Sequence, residues 1–372
     1  MKIIHIFPYS ARIPGGHSNA IREFITCQRA AGMEAFGISP CGTEGSTDGY
    51  ELGEWIHELP FDRAETVFSR ISGITDSKPA ILHLHAVDRF NTELARQAVD
   101  HGLTVVLTSH GQLNCRSMLH GFQKAVYLAA CRSPVRHAAG IHVLTQRERG
   151  RLRLMIPWFR GPIGIIPHVV EIPGDPPAAD ATPRDFKPLT ILHIGRLDVQ
   201  TKGLDLLVEG FAKSGLDQAR LILAGPDWNN GRAMLETLAR DLGCAGRVEF
   251  PGAVYGADKE RLLDSADLFV AASRWDAFNI SLVEAMARGV PALVSDRLNL
   301  ATALAAADAA AVVACSAKGI ANELLTLAND PLRRTRLGHQ GREWTRTNCS
   351  PDKIGSGFGE FYQRIHKKAQ VV

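Results

Sequence analysis

The feature that most constrains the fold is a pair of series in which short apolar segments alternate with helical patterns. The first series runs IIHIF, MEAFGIS, AILHLH, LTVVLTS, IHVLT and IGIIP, and the second runs LTILHIG, RLILAG, VEF, DLFVAAS, PALVS and AAVVA. Short apolar strands separated by helices are typical of parallel sheets covered on both faces. The sequence therefore predicts an α/β protein with two Rossmann-like domains in series.

A stretch rich in proline, alanine and aspartate, EIPGDPPAADATPRDFKP, lies between the two series. It offers little apolar surface to bury and favours extended backbone, as linkers do. The sequence predicts a linker at 173–188 that joins an N-terminal domain at 1–172 to a C-terminal domain at 189–353. A length of 372 residues suits two such domains.

Composition narrows the class of protein further. The formal net charge of +3 is too small to suggest a nucleic-acid partner. The 7 cysteines are scattered and odd in number, without Cys-x-x-Cys spacing, which fits a reducing cytoplasm. No apolar run reaches the roughly 18 residues of a transmembrane helix, so any membrane contact is expected to be peripheral.

The first candidate binding element is the turn PGGH, which follows the first strand and precedes a helix. Gly15 and Gly16 would let the backbone approach a ligand closely, and a helix N-terminus attracts phosphate. An ordinary tight turn explains the same residues equally well.

Two cations follow the strand LTILHIG, in the segment GRLDVQTKG. Ligands of open parallel sheets bind at the carboxyl ends of the strands, so Arg196 and Lys202 could neutralise a diphosphate there. Two solvated surface cations are the alternative.

The segment SRWDAFNISLVEAMARGVP places two acids 8 residues apart, Asp276 and Glu284. We expect residues 278–281 to open a helix whose amides could contact a diphosphate, with Glu284 about one turn inside. Carboxylates accept hydrogen bonds from paired sugar hydroxyls. The alternatives are that Asp276 caps the helix and that Glu284 is a surface residue.

Together these segments resemble the retaining glycosyltransferases of family 4, which have the GT-B fold of two Rossmann-like domains facing a central cleft. The resemblance spans nearly the whole chain and rests on PGGH, HLHAVD, SHG at Ser109 to Gly111, IIPHVVE, GRLDVQTKGLDLLVEGF, FPGAV and EAMARGVPALVSD.

The resemblance implies a role for each matching residue. Arg196 and Lys202 would bind the donor diphosphate, Asp276 the donor sugar and Glu284 the ribose, while His110 would lie close to the transferred sugar. The implied catalytic residues are thus His110, Arg196, Lys202 and Asp276. The remaining donor-binding positions are Gly15, Gly16, Val254, Phe278, Asn279, Ile280 and Ser281.

The resemblance also implies a nucleotide-diphosphate sugar as donor and a sugar or lipid-linked acceptor. The family usually has Glu at the first acid and Gly after the Phe, where this chain has Asp276 and Asn279, which leaves the identity of the donor sugar open. We expect no cofactor and no metal, because the chain contains no Asp-x-Asp motif. A helix at 354–372 is expected to cross back onto the N-terminal domain, as in family members.

Two alternative functions stay open at this point. One is a nucleotide-sugar epimerase on the same fold, and the other is a catalytically weak sugar-nucleotide-binding protein. A dinucleotide dehydrogenase is disfavoured, because no Gly-x-Gly-x-x-Gly follows any strand.

The stretch 132–160 is strongly basic, with 7 arginines and the single acid Glu148. Solvated arginines on a helix face would explain it. Because apolar and aromatic residues adjoin the arginines, contact with an anionic membrane is the alternative, and it would imply a lipid-linked acceptor.

Overall fold

The structure, a computed structural model, describes residues 2–12, 16–41, 54–61, 63–76, 80–111, 134–174 and 189–369. The chain divides into two compact units. The first comprises Met1–Val169 with Pro351–Val372, and the second comprises Val170–Ser350. These boundaries lie 3 residues before the predicted domain ends at 172 and 353. From 175 to 188, the predicted linker lies outside the described residues.

The first unit is built on parallel strands with helices between them. Its elements are β1 Lys2–Ile6, α1 Gly16–Ala30, β2 Glu34–Pro40, β3 Ile56–Leu59, α2 Ala64–Thr75, β4 Ala80–His85, α3 Arg89–Asp100, β5 Thr104–Thr108, β6 Gly140–Val143, α4 Gln146–Met155 and β7 Ile163–Ile165. Within the described residues the sheet has 7 strands in the order β3-β2-β1-β4-β5-β6-β7. All its pairings are parallel.

The second unit repeats this architecture. Its elements are β8 Thr190–Ile194, α5 Val199–Lys202, α6 Leu204–Lys213, β9 Arg220–Ala224, α7 Gly231–Asp241, β10 Val248–Gly252, α8 Gly256–Ser265, β11 Leu268–Ala271, α9 Ile280–Ala287, β12 Ala292–Ser295, α10 Ala301–Ala306, β13 Ala311–Val313, α11 Ala317–Asn329 and α12 Pro331–Cys349. The sheet order among the described residues is β10-β9-β8-β11-β12-β13.

Both strand orders are those of doubly wound sheets. In such sheets the order in which successive strands are added reverses next to the first strand. The reversal lies between β1 and β4 in the first unit and between β8 and β11 in the second. Ligands of such sheets bind at this switch point, beyond the carboxyl ends of the strands. The predicted site residues that follow β8 and β11 therefore lie where the topology favours binding.

The last helix, α13 Pro351–Ala369, belongs to the first unit and packs against α1. Its apolar residues Phe358, Phe361, Tyr362 and Ile365 are buried. A Cβ added to Gly140 would lie 2.5 Å from Ile365, and one added to Gly164 would lie 2.7 Å from Phe361. Because these glycines of β6 and β7 have no side chain, the helix can pack closely against the two strands. Among the described residues, no helix is long and apolar enough to cross a membrane.

Candidate active site

The turn after β8 brings together the two oppositely charged residues of the predicted donor site. Lys202 is the last residue of α5, and its Nζ lies 2.6 Å from Asp276 Oδ2. The two side chains are only 16% and 11% exposed. The alternative given in the sequence analysis, a solvated surface cation, is therefore wrong for Lys202.

Close backbone packing holds this turn in place. Gly203 follows Lys202 with φ at 65°, and an added Cβ would lie 2.4 Å from the Ala272 carbonyl oxygen at the end of β11. Asp198 caps α5 by accepting a hydrogen bond of 2.9 Å from the Thr201 amide. Only glycine combines this conformation with so close an approach, so Lys202 is fixed beside the β11 loop.

Arg196 is exposed, in contrast to Lys202. Its guanidinium lies 4.5 Å from the centroid of the Trp228 ring, a cation–π contact that restricts the guanidinium. Trp228 lies in the loop after β9. Because this loop also follows a strand, the sequence could have identified Trp228 as a candidate site residue.

Asn279, and not Asp276, caps helix α9. The Asn279 side chain accepts a hydrogen bond of 3.0 Å from the Leu282 amide, and the helix begins at Ile280. The predicted helix start at 278 is therefore early, and the cap alternative for Asp276 is wrong. Glu284 lies one turn inside α9, where Lys259 Nζ is 2.5 Å from its Oε2.

Several buried polar atoms around this turn have no hydrogen-bond partner among the described residues. They are His193 Nε2, Ser273 Oγ, Trp275 Nε1 and Asn279 Nδ2. Burial lowers the pKa of His193 to about 4, so this ring is neutral near pH 7. Unpartnered buried polar groups are costly and cluster where a ligand completes the hydrogen bonds.

The other donor-site residues predicted for the second unit line the same loops. Ile280 and Ser281 are the first two residues of α9, and Phe278 is buried just before it. Val254 follows β10 and is partly exposed. Their proposed contacts with the donor stay predictions.

In the first unit, His110 follows β5 at the carboxyl edge of the sheet. Its φ of 45° is left-handed, an uncommon conformation for histidine, and the side chain is 8% exposed. The His17 ring, in the first turn of α1, lies 4.8 Å from the His110 ring. Gly16, the first residue of α1, directly precedes His17, whereas Gly15 lies outside the described residues.

Glu148 anchors the turn that carries His110, and sequence reasoning missed this role. Its carboxylate accepts hydrogen bonds from Ser109 Oγ at 3.2 Å and from the Leu144 amide at 2.9 Å. Burial raises the pKa of Glu148, while these donors and the Gly111 amide oppose the rise. The one signal in the sequence was a single acid among arginines.

Two protein-family models match nearly all of the chain. Residues 15–167 match the glycosyl transferase 4-like domain, and residues 178–344 match glycosyl transferases group 1. The chain belongs to the family-4 glycosyltransferases. The GT-B fold class and the resemblance stated from the sequence are thereby confirmed.

Relatives and solved structures agree with this assignment. The glycosyltransferase is 25% identical over 369 residues to the phosphatidyl-myo-inositol mannosyltransferase of Mycobacterium leprae, covering 93% of this chain and 92% of the relative. Its fold matches the sucrose-phosphate synthase of Thermosynechococcus elongatus, with a TM-score of 0.79, 20% identity and 99% coverage of both chains. It also matches Anabaena HepE in complex with UDP and glucose, with a TM-score of 0.76, 15% identity and coverage of 98% and 99%.

Proposed function

We propose that this glycosyltransferase moves a hexose from a nucleotide-diphosphate hexose to an acceptor hydroxyl, with retention of anomeric configuration. The observation that carries the proposal is the Lys202–Asp276 pair at the switch point of the second sheet. Unpartnered buried donors on Trp275 and Asn279 accompany the pair. A bound diphosphate and sugar would supply the acceptors that these groups lack.

The charges suggest how the transfer is assisted. Lys202 and Arg196 stabilise the negative charge that builds on the departing diphosphate, and the first amides of α9 add to this field. Asp276 accepts hydrogen bonds from hydroxyls of the donor sugar, and Glu284 from the ribose. No protein nucleophile is required, because in a front-face displacement the acceptor arrives on the side from which the diphosphate leaves.

The relatives supply candidates for the substrates. Proteins of similar sequence are named as mannosyltransferases acting on phosphatidyl-myo-inositol or on a diphosphopolyprenol, the latter with GDP-mannose, whereas the structurally similar HepE binds UDP-glucose. We therefore propose GDP-mannose and UDP-glucose as the first donors to test. The base would contact the backbone near Gly252 and Val254.

Donor consumption with and without acceptor tests the proposal. GDP-mannose and UDP-glucose are each incubated with the protein, with vesicles containing phosphatidylinositol as acceptor, and the anomeric configuration of the product is read by NMR. We expect acceptor-dependent transfer with retention that persists in EDTA, because Arg196 and Lys202 take the place of a cation at the diphosphate. An epimerase would form product without acceptor, and a binding protein would consume no donor.

A lipid-linked acceptor is the more specific part of the proposal, and the structure changes its basis. Leu152 and Ile156 are buried, and Met155, Trp158 and Phe159 pack against the core of the first unit. In the described part of the stretch, Leu154 is the only large apolar side chain that is exposed, at 84%, whereas Met155, Trp158 and Phe159 are partly buried. The attraction to a membrane would therefore be mainly electrostatic, through exposed arginines such as Arg136, Arg153 and Arg160.

Sedimentation with anionic vesicles tests this membrane contact. We expect binding at low salt that weakens as salt is added, because screening shortens the reach of surface charges. The double variant Arg136→Ala/Arg153→Ala should lose about 1 kcal/mol of binding per arginine. Arg346→Ala, an exposed arginine of the second unit, is the control. Wild-type protein that stays in the supernatant at low salt would favour a soluble acceptor.

A further inference from the structure

A chain of hydrogen bonds runs through buried side chains of the first unit and ends on His110. It crosses strands β1, β4, β5 and β6 and helices α1 and α13. The bonds join the Ile166 carbonyl to His142 Nε2 (2.7 Å), His142 Nδ1 to Thr108 (2.8 Å), Thr108 to His83 Nε2 (2.6 Å), His83 Nδ1 to Tyr362 (2.8 Å), Tyr362 to Gln28 Nε2 (3.3 Å), Gln28 Oε1 to His5 Nε2 (3.0 Å), His5 Nδ1 to His85 Nε2 (2.8 Å) and His85 Nδ1 to His110 Nε2 (3.0 Å).

The carbonyl at the far end sets the direction of the first bonds. A carbonyl oxygen only accepts, so His142 donates through Nε2–H and, as a neutral ring, accepts through Nδ1. Thr108 must then donate its hydroxyl proton to His142. The Thr108 oxygen in turn accepts from His83 Nε2–H, which leaves His83 Nδ1 as an acceptor.

The directions of the remaining hydrogen bonds, as far as His110, are fixed in the same way. Tyr362 donates its hydroxyl proton to His83 Nδ1, so its oxygen accepts from the Gln28 amide group. That orientation points Gln28 Oε1 at His5, which donates through Nε2–H and accepts through Nδ1 from His85. His85 then accepts from His110 Nε2–H, and His110 Nδ1 carries no proton.

These bond directions require neutral rings and a protonated tyrosine, and burial favours both. Burial lowers the pKa of His5 and of His142 to about 4. It lowers the pKa values of His83, His85 and His110 well below their ordinary value. Burial likewise raises the pKa of Tyr362 well above its ordinary value.

His110 Nδ1 is the one ring nitrogen along this chain that lacks a hydrogen-bond partner among the described residues. It is buried, on a side chain at the carboxyl edge of the sheet. A buried acceptor without a donor is costly, and a hydroxyl group of a ligand would satisfy it.

We propose that this chain of hydrogen bonds holds His110 in the Nε2–H tautomer, so that Nδ1 accepts a hydrogen bond from a substrate hydroxyl. Thr108 and Tyr362 are then positioning residues for the transfer, and the last helix contributes to the site through Tyr362. The substrate part of this inference rests on the proposed function, whereas the tautomer does not.

A metal site is the competing interpretation of these histidines. Ligand atoms of His5, His83 and His85 lie within 4.8 Å of one another. Both ring nitrogens of each residue, however, already take part in hydrogen bonds of the chain. A bound ion would have to break several of these bonds, so the chain explains the cluster better.

The tautomers are measured by two-bond 15N–1H NMR on the intact protein labelled with 15N-histidine, without metal or substrate at pH 7.5. The His110 signals are identified by their loss in His110→Gln. We expect one tautomer, Nε2–H, at His110 in the wild type and in Thr108→Ser. Thr108→Val and Tyr362→Phe interrupt the chain of hydrogen bonds, so the amide group of Gln28 can rotate by 180°. Both the Nε2–H and the Nδ1–H form of His110 should then appear.

Kinetics supply the second measurement, with whichever of GDP-mannose and UDP-glucose supports transfer. Loss of one oriented hydrogen bond predicts about a tenfold fall in kcat for Thr108→Val and Tyr362→Phe, with KM for the donor little changed. Thr108→Ser should retain wild-type kcat. Because NMR needs no substrate, failure of the proposed transfer leaves the tautomer result intact. A cationic or Nδ1–H His110 in the wild type, or variants with unchanged spectra and kcat, would overturn the inference.

Discussion

Lys202 illustrates what one residue can contribute to this site. Its ammonium is held by Asp276, and its charge adds to the burial that lowers the pKa of His193 and keeps this ring neutral. The position after a strand was visible in the sequence, because strand ends can be recognised from apolar runs. The partner was not, since 74 residues separate Lys202 from Asp276 and only the strand order brings them together.

Substitution of the two cations tests their role in stabilising the diphosphate. We expect Lys202→Ala and Arg196→Ala each to lower turnover by about a hundredfold or more, because each removes a charge that stabilises the leaving group. Folding should survive, as measured by circular dichroism. Lys213→Ala removes an exposed lysine of the same unit and should leave turnover unchanged. A folded Lys202→Ala protein with near-normal turnover would contradict the assignment.

Helix α13 shows what the pattern within one element reveals. In the sequence, its apolar residues Phe358, Phe361 and Ile365 lie at helical spacing, and all three are buried in the structure. The hydrogen bonds of Tyr362 could not be predicted, because they depend on His83 and Gln28 from distant parts of the chain. Periodicity identifies which residues are buried, but not which polar groups they meet.

Two glycine substitutions test how tightly α13 packs. Gly164→Ala should lower the free energy of unfolding by about 1–3 kcal/mol, because an added Cβ would overlap the Phe361 ring. Gly150→Ala is the control, since its Cβ would meet nothing within 4 Å in the middle of α4. That control should be neutral or stabilising. Urea unfolding of both variants gives the comparison, and equal stability of Gly164→Ala and wild type would show that α13 packs elsewhere.

For the whole molecule, the alternation of strands and helices was enough to predict two parallel-sheet domains. The order of strands within each sheet was not, because alternation is equally compatible with several windings. The two units also differ in how many of their histidines are buried, which the amino-acid composition does not reveal. Among the described residues of the first unit, six histidines are buried and have lowered pKa values: His5, His83, His85, His110, His142 and His168.

This asymmetry predicts that acid destabilises the first unit more than the second. A histidine whose pKa is about 4 when folded and about 6.5 when unfolded binds its proton mainly in the unfolded state. Stability should therefore fall as the pH drops from 6.5 towards 4, by about 1 kcal/mol at pH 5.5 for each of His5 and His142. Hydrogen exchange at pH 7.5 and 5.5, resolved by peptide, measures both units. An equal loss of protection in the two units would contradict the expectation.

Binding of a nucleotide-sugar is the most direct test that Lys202 and Asp276 form the donor site. Thermal unfolding is measured with UDP-, GDP- and ADP-sugars for wild type, Lys202→Ala and the control Lys213→Ala. One of the three nucleotide-sugars should stabilise wild type and Lys213→Ala, by about 2.7 kcal/mol at a hundred times Kd. Lys202→Ala should show much less stabilisation at the same concentration. If none of the sugars stabilises wild type, or if Lys202→Ala is stabilised equally, the donor site does not lie at the carboxyl edge of the second sheet.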